Sequence, residues 1–260
     1  MKVLILGDIV GTPGMKIAVK YIQQLREEFA IDFVVANGEN IVSSGRGFTK
    51  ETVAELLANG VDCITLGNHT WDRFEAGDLL ASNNRLLRPL NYPIGTKGKG
   101  YTTLTAKNGE KICVINVLGR YFMEPLRCPF KAAEELLPEI HTVTRNILID
   151  MHAEATSEKQ AFAWFMDGKV SCVYGTHTHV QTNDDRLLPK GTAYITDVGM
   201  TGPRDSVIGT KVDVALRKFL TQMPIRMEVA EGPLELNAIV IELENGKAIS
   251  ITKLRRNCEA

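Results

Sequence analysis

The sequence predicts a layered α/β fold in which two β-sheets pack face to face between helices. Three observations carry this expectation: short apolar, β-branched runs alternate with amphipathic segments in both halves of the chain, Asn-Gly pairs mark two hairpins, and no Pro/Ser-rich linker, low-complexity tract or repeat divides the 260 residues. Residues 1–260 are accordingly expected to form a single domain.

Taken in order, Lys2–Gly7 reads as a buried strand and Met15–Phe29 as an amphipathic helix, with Ile17, Val19, Ile22, Leu25 and Phe29 near helical period. Asp32–Ala36 is a strand that runs into a Gly/Ser-rich loop, Asn37–Phe48. Thr49, with Glu51 and Thr52 behind it, opens a helix through Leu57 as a capped N-terminus. Cys63–Leu66 is the next strand. Tyr101–Ala106 and Lys111–Val117 flank Asn108-Gly109 as a hairpin. The second half repeats the alternation, with strands Ile147–Ile149, Val170–Tyr174 and Thr192–Thr196 and helices Ser157–Met166 and Val212–Leu220. It closes with a hairpin, Glu235–Leu243 and Lys247–Leu254, around Asn245-Gly246.

Composition narrows the class of partner. A formal net charge of -1 provides neither the basic stripe that tracks a long nucleic acid nor a polybasic segment for anionic lipid, so any nucleotide handled is expected to be small. The N-terminus lacks a signal peptide's h-region and cleavage site, and no apolar run approaches membrane-spanning length. Cys63, Cys113, Cys128, Cys172 and Cys258 form no C-x-x-C pair and sit mostly in apolar runs, as structural thiols do in a reducing compartment. A cytoplasmic protein is expected.

The polar residues just beyond the apolar runs carry the chemistry. Asp8, Glu39-Asn40, Asn68-His69, His152, Thr176-His177 and His179 stand mostly at strand ends, where α/β sheets collect ligands and catalytic groups. Of the chain's 5 histidines, His69, His152, His177 and His179 occupy such places; His141, in a polar stretch, does not. Two imidazoles at i and i+2, His177 and His179, point to one side of an extended segment and can serve one metal or two adjacent ones. Gly7-Asp8-Ile9-Val10-Gly11-Thr12-Pro13-Gly14 imitates a dinucleotide-binding turn, but its spacing is off by one residue and Pro13 lacks the needed N–H.

Together these residues resemble the calcineurin-like metallophosphoesterase superfamily, whose pattern runs D-x-H, G-D-x-x, G-N-H-[DE], a lone His, then G-H-x-H. The match is Asp8; Gly38-Glu39-Asn40; Gly67-Asn68-His69; His152; His177-x-His179, in that order over nearly the whole chain. Val10 replaces the D-x-H histidine, Glu39 with Asn40 replaces the bridging aspartate, and Thr70 stands where an acid is usual. These departures resemble the bacterial YmdB-type phosphodiesterases, which are similar to 2',3'-cyclic-nucleotide 2'-phosphodiesterases, down to Gly-Asp-Ile-Val-Gly and the run Asp197-Val-Gly-Met-Thr-Gly-Pro203.

The resemblance implies a four-layer α/β/β/α sandwich of two mixed sheets and a dinuclear centre. Asp8, Glu39, Asn40 and His179 would hold one ion; Glu39, Asn68, His152 and His177 would hold the other, with Glu39 bridging. Two divalent transition-metal ions are implied, with Fe or Mn expected first and Zn allowed; the mixed carboxylate, amide and imidazole ligands do not by themselves choose among them. The implied reaction is attack of a metal-bridging hydroxide on a phosphodiester, a 2',3'-cyclic nucleotide first and a 3',5'-cyclic one second, with His69 protonating the leaving oxygen. Ser43-Ser44-Gly45-Arg46-Gly47 and Leu118–Pro129, with Arg120 and Arg127, are expected to meet substrate. A phosphomonoesterase using the same centre, and a non-catalytic metal- or nucleotide-sensing regulator, are the alternatives. Neither a membrane nor a long nucleic acid is expected as a partner, and a homo-oligomer is allowed.

Overall fold

A computed structural model describes residues 1–259. Its first half contains β1 (Lys2–Leu6), β2 (Asp8–Ile9), α1 (Gly11–Glu28), β3 (Phe33–Asn37), α2 (Lys50–Ala58), β4 (Cys63–Thr65), α3 (Ala76–Ser82), β5 (Leu86–Leu87), β6 (Tyr101–Thr105) and β7 (Lys111–Leu118). Its second half contains α4 (Pro129–His141), β8 (Ile147–His152), α5 (Thr156–Met166), β9 (Cys172–Thr176), β10 (Arg186–Leu187), β11 (Ala193–Ile195), β12 (Met200–Pro203), α6 (Val212–Thr221), β13 (Leu234–Glu244) and β14 (Lys247–Cys258).

The strands form two mixed sheets. One has the order β2-β12-β13-β1-β3-β4-β5 with β14 on β13, and the other runs β10-β11-β9-β8-β7-β6. β1, β3, β4 and β5 are parallel, as are β7, β8, β9 and β11, so the C-terminal ends of each set open on one edge.

Strand periodicity assigns the layers. Val3, Ile5, Phe33 and Val35 of the first sheet face Val114, Leu148 and Cys172 of the second, while Leu4, Leu6, Val34 and Ala36 point outward onto Ile17, Ile22, Val53 and Leu56 of α1 and α2. The second sheet's other face, Ile115, Ile149 and Val173, packs on Ala133 and Leu137 of α4 and Phe162 and Met166 of α5. This is the α/β/β/α sandwich, with three apolar layers between four structural ones.

Most boundaries follow the sequence expectation within a few residues. α2 starts where expected, with Thr49 and Thr52 forming a reciprocal cap. Three differences have physical causes. α1 begins at Gly11 and not Met15, because a proline in the first helical turn gives up an N–H that has no partner there anyway. α4 was hidden by Pro129 and Pro138, yet Pro129 sits in its first turn and begins it. β8 runs on to His152, so that imidazole is anchored in the sheet itself.

Candidate metal centre

The C-terminal edges of the two sheets meet, and the polar residues that end or follow β1, β3, β4, β8 and β9 meet with them. β8 and β9 pair in register to His152 and Thr176, and the β3–β4 pair ends at Asn37 and Thr65. Gly67, just beyond β4, lets the first sheet's edge approach the second: a Cβ there would lie 2.2 Å from His152 Nε2, so only glycine lets the chain pass over the imidazole.

His152 Nε2 is the focus of one group. Glu39 Oε1 lies 3.0 Å from it, Asn68 Oδ1 3.0 Å and His177 Nδ1 3.1 Å. A single N–H cannot serve three acceptors, whereas one cation surrounded by these lone pairs satisfies all of them. The ring is fixed from behind: Nδ1 meets Thr176 Oγ1 at 2.8 Å, and that hydroxyl donates to Asp150 Oδ1 at 2.6 Å. Such an outer carboxylate sets which imidazole nitrogen faces a metal.

A second group adjoins it. Asp8 Oδ1 and Asn40 Oδ1 are buried without a hydrogen-bond partner. His179 Nε2 stands 3.8 Å from Asp8 Oδ1, and the Asn40 amide nitrogen lies 3.4 Å from His179 Nε2 and 3.5 Å from Glu39 Oε1. Turning that amide over would present its oxygen to the same point. Glu39 lies between the two groups, with Oε1 toward His152 and Oε2 accepting the His69 backbone N–H at 3.0 Å. Buried orphan oxygens beside crowded bases fit a metal-binding site.

Electrostatics show how much negative potential is concentrated here. Burial opposes charge on Glu39, but the His152 imidazole and the His69 N–H bring its carboxyl down to about 2. Burial likewise opposes charge on His152, and the carboxylates of Glu39, Asp8 and Asp150 override it, lifting the ring to about 9. Burial and the charge of His152 press His177 down to about 3. Asp8 is raised by burial against the pull of His179 and His152. Asp150 is raised by burial to about 7.

The histidine loop differs from the sequence expectation. His177 and His179 have φ of 97 and 64, so the segment is not extended; two left-handed residues turn His177 toward His152 and His179 toward Asp8. A fully buried ion pair supports this strained turn. Lys159 Nζ donates to Thr176 O at 2.7 Å and to Asp197 Oδ2 at 2.8 Å, and the same carboxylate accepts the Thr178 N–H and hydroxyl at 3.1 and 2.7 Å. Lys159 and Asp197 escaped the sequence reading of the site, since one lies on a helix and the other in a glycine-rich run.

His69 stands slightly apart. Its Nε2 lies 3.3 Å from the Asn68 amide, and its Nδ1 is 3.0 Å from Asp72 Oδ2, with the Arg46 guanidinium 3.2 Å away. Arg46, His69, Glu154, His177 and His179 line a cavity of about 360 Å³. Glu154, which pairs with His177 Nε2 at 3.0 Å, was also missed; its spacing from His152, H-x-E, is the signal that would have found it. Of the residues expected to meet substrate, Arg46 is at the cavity, Arg120 lines a separate hollow with Tyr121, and Arg127 is paired with Glu135 at 3.0 Å.

Known proteins resemble this chain along nearly its whole length. The model of the YmdB-like protein family matches residues 4–254. The 2',3'-cyclic-nucleotide 2'-phosphodiesterase of Bacillus subtilis (strain 168) is 46% identical over 259 residues, 99% of this chain and 97% of its own length. A crystal structure of a hypothetical protein from Thermus thermophilus superposes with a TM-score of 0.94 at 42% identity, covering 100% of both chains. One of a phosphatase from Mycoplasma pneumoniae superposes with a TM-score of 0.92 at 34% identity, covering 100% of this chain and 94% of that one.

Proposed function

Because the chain belongs to the YmdB-like family, we propose that it is a metal-dependent phosphodiesterase acting on 2',3'-cyclic nucleotides through two metal ions. The observation that carries this reading is the meeting of Glu39 Oε1, Asn68 Oδ1 and His177 Nδ1 within 3.1 Å of His152 Nε2, beside the orphan oxygens of Asp8 and Asn40. Glu39, Asn68, His152 and His177 would hold one ion; Asp8, Glu39, Asn40 and His179 the other. Fe, Mn and Zn all suit such mixed ligands, and the family resemblance puts Fe or Mn first. When bound, the ions supply positive charge to the phosphoryl oxygens and acidify water at neutral pH.

The chain's own groups supply the rest. Hydrolysis forms a bond from water oxygen to phosphorus and breaks the bond from phosphorus to the ribose oxygen, whose alkoxide needs a proton. His69 Nε2 is the donor in this reading, with Asp72 holding Nδ1 and so the ring's orientation, as a carboxylate does for any imidazole acid or base. Arg46, at the mouth, meets phosphate charge. Lys159 and Asp197 keep the histidine turn folded under the site.

Residues 1–260 act in this reading as one metallophosphoesterase domain, which the family match over 4–254 supports. A cytoplasmic setting is consistent with the free, mostly buried cysteines; among the described residues no helix is long and apolar enough to cross a membrane. Assaying the Mn-reconstituted chain on 2',3'-cyclic AMP, 3',5'-cyclic AMP and p-nitrophenyl phosphate tests the proposal. The cyclic diesters should be turned over with the higher kcat/KM. Equal or better turnover of the monoester would instead favour the monoesterase reading, to which the described activity of the Mycoplasma pneumoniae relative gives weight.

A further inference from the structure

The exposed aromatic side chains among the described residues are Trp71, Phe74, Tyr121, Phe122, Trp164 and Phe219. The first four lie on two loops that leave the site: Trp71 and Phe74 follow His69, while Tyr121 and Phe122 follow β7, whose last residue Leu118 pairs with His152. The remaining aromatic rings are buried at least in part, so this concentration beside the site has to be accounted for.

The two loops are tied to one shared segment, Asn91-Tyr92. Trp71 packs edge to face on Tyr92, with ring centroids 5.7 Å apart. The neighbouring Asn91 clamps the second loop at both ends, donating through its amide to Leu118 O and Arg127 O at 2.9 Å each and accepting from Leu118 N–H at 2.9 Å. The buried Glu158 carboxylate accepts the backbone N–H groups of Arg120 and Tyr121 at 3.0 and 3.2 Å. At its tip Phe122 is 89% exposed and left-handed, with φ of 63. An aromatic residue held in a costly conformation with its ring in solvent is a feature seen where ligands bind.

We infer that Trp71 and Phe122 form a stacking shelf for the base of a nucleotide whose phosphate lies at the metal centre. The inference rests on the phosphodiesterase reading for what lies at that centre. A π-face accepts any base, so the shelf selects nucleotides over base-free phosphodiesters while discriminating weakly among bases. Rings offered to solvent at a fixed place lose little freedom when they stack.

Two measurements on the metal-loaded chain test it. In the first, Phe122→Ala and Trp71→Ala should each raise KM for 2',3'-cyclic AMP by about ten-fold, the worth of one stacked base, with a much smaller change in kcat. KM for glycerol 1,2-cyclic phosphate, which has no base, should stay near its wild-type value. Phe122 is so exposed that its removal leaves the packing intact, which covers the case of Trp71→Ala failing to fold. Equal KM increases on both substrates, or none on the nucleotide, would overturn the shelf.

The second measurement needs no turnover. The chain has 2 tryptophans, so Trp164→Phe leaves Trp71 as the only reporter. AMP should quench its fluorescence saturably and ribose 5-phosphate should not. Failure to hydrolyse either diester defeats the phosphodiesterase reading without touching this result, whereas equal or absent quenching by the two monophosphates defeats the shelf.

Discussion

Asp72 Oδ2 lies 3.0 Å from His69 Nδ1, one helical-turn spacing along the same loop, and leaves Nε2 directed toward Asn68 and the site. The relationship assigns two roles to two nitrogens. His69→Ala should keep its metal ions and lose on the order of a hundred-fold in kcat on a ribose ester, whose alkoxide must be protonated. On a p-nitrophenyl diester, whose leaving group is stable as an anion, the loss should be much smaller. Asp72→Asn should show the same contrast in weaker form. Loss of metal from His69→Ala, or equal losses on both esters, would make His69 a ligand or a structural residue.

Glu39 faces both ligand groups at once. Glu39→Gln keeps the shape but removes the charge that both ions would share, so elemental analysis should find well under two ions per chain and turnover close to background. Far-UV circular dichroism should be unchanged, since Glu39 lies beyond the end of β3 and outside the apolar layers. A variant with full metal content and full activity would show that Glu39 is not shared between two ions.

The buried Lys159–Asp197 pair predicts a separation of stability from metal binding. Lys159→Met leaves Asp197 uncompensated at 0% exposure and should cost about 3 to 5 kcal/mol in denaturant unfolding. Adding Asp197→Leu removes the orphan charge and should recover much of that stability. It also strips the support from Thr178, so the double variant should still bind less metal than wild type. Recovery of metal together with stability would show the pair to be structural only.

Asp150 gives a pH signature in metal-free protein. Its folded value of about 7 exceeds its ordinary 3.8, so the fold holds the proton over a range in which the unfolded chain has released it. The folded state then binds more protons than the unfolded one, and stability should fall as pH rises from about 4 to about 7. Asp150→Asn, still able to meet the Thr65 and Thr176 hydroxyls, should flatten that slope. Urea unfolding of both proteins across this range decides the matter.

Much of this site was legible because its residues break a pattern. Asp8, Asn68 and His177 each interrupt an apolar run just past the end of β1, β4 or β9, and strand ends are where an α/β fold presents chemistry. The layers were legible for a related reason, since Val3 and Ile5 alternate with Leu4 and Leu6 and both sets are apolar, as two-sided burial requires. What stayed hidden depends on distance in the chain. Lys159 reaches Asp197 across 38 residues; Lys159 carries no local signal, and the run that opens with Asp197 resembles the family without showing what that carboxylate holds. The turn at His177 and His179 was misread because strand alternation was carried past the strand's end; only the backbone angles reveal the left-handed residues. Phe122 lies in Leu118–Pro129, where Arg120 and Arg127 carry the obvious phosphate signal and an exposed ring carries none.

Titrating metal-free protein with Mn(II), while counting bound ions per chain and following 2',3'-cyclic AMP hydrolysis, tests the two-ion phosphodiesterase most directly. Activity should be absent without metal, rise with occupancy and level off as binding approaches two ions per chain. Binding of no ion, or cyclic-nucleotide turnover that is the same in the metal-free and loaded protein, would contradict it.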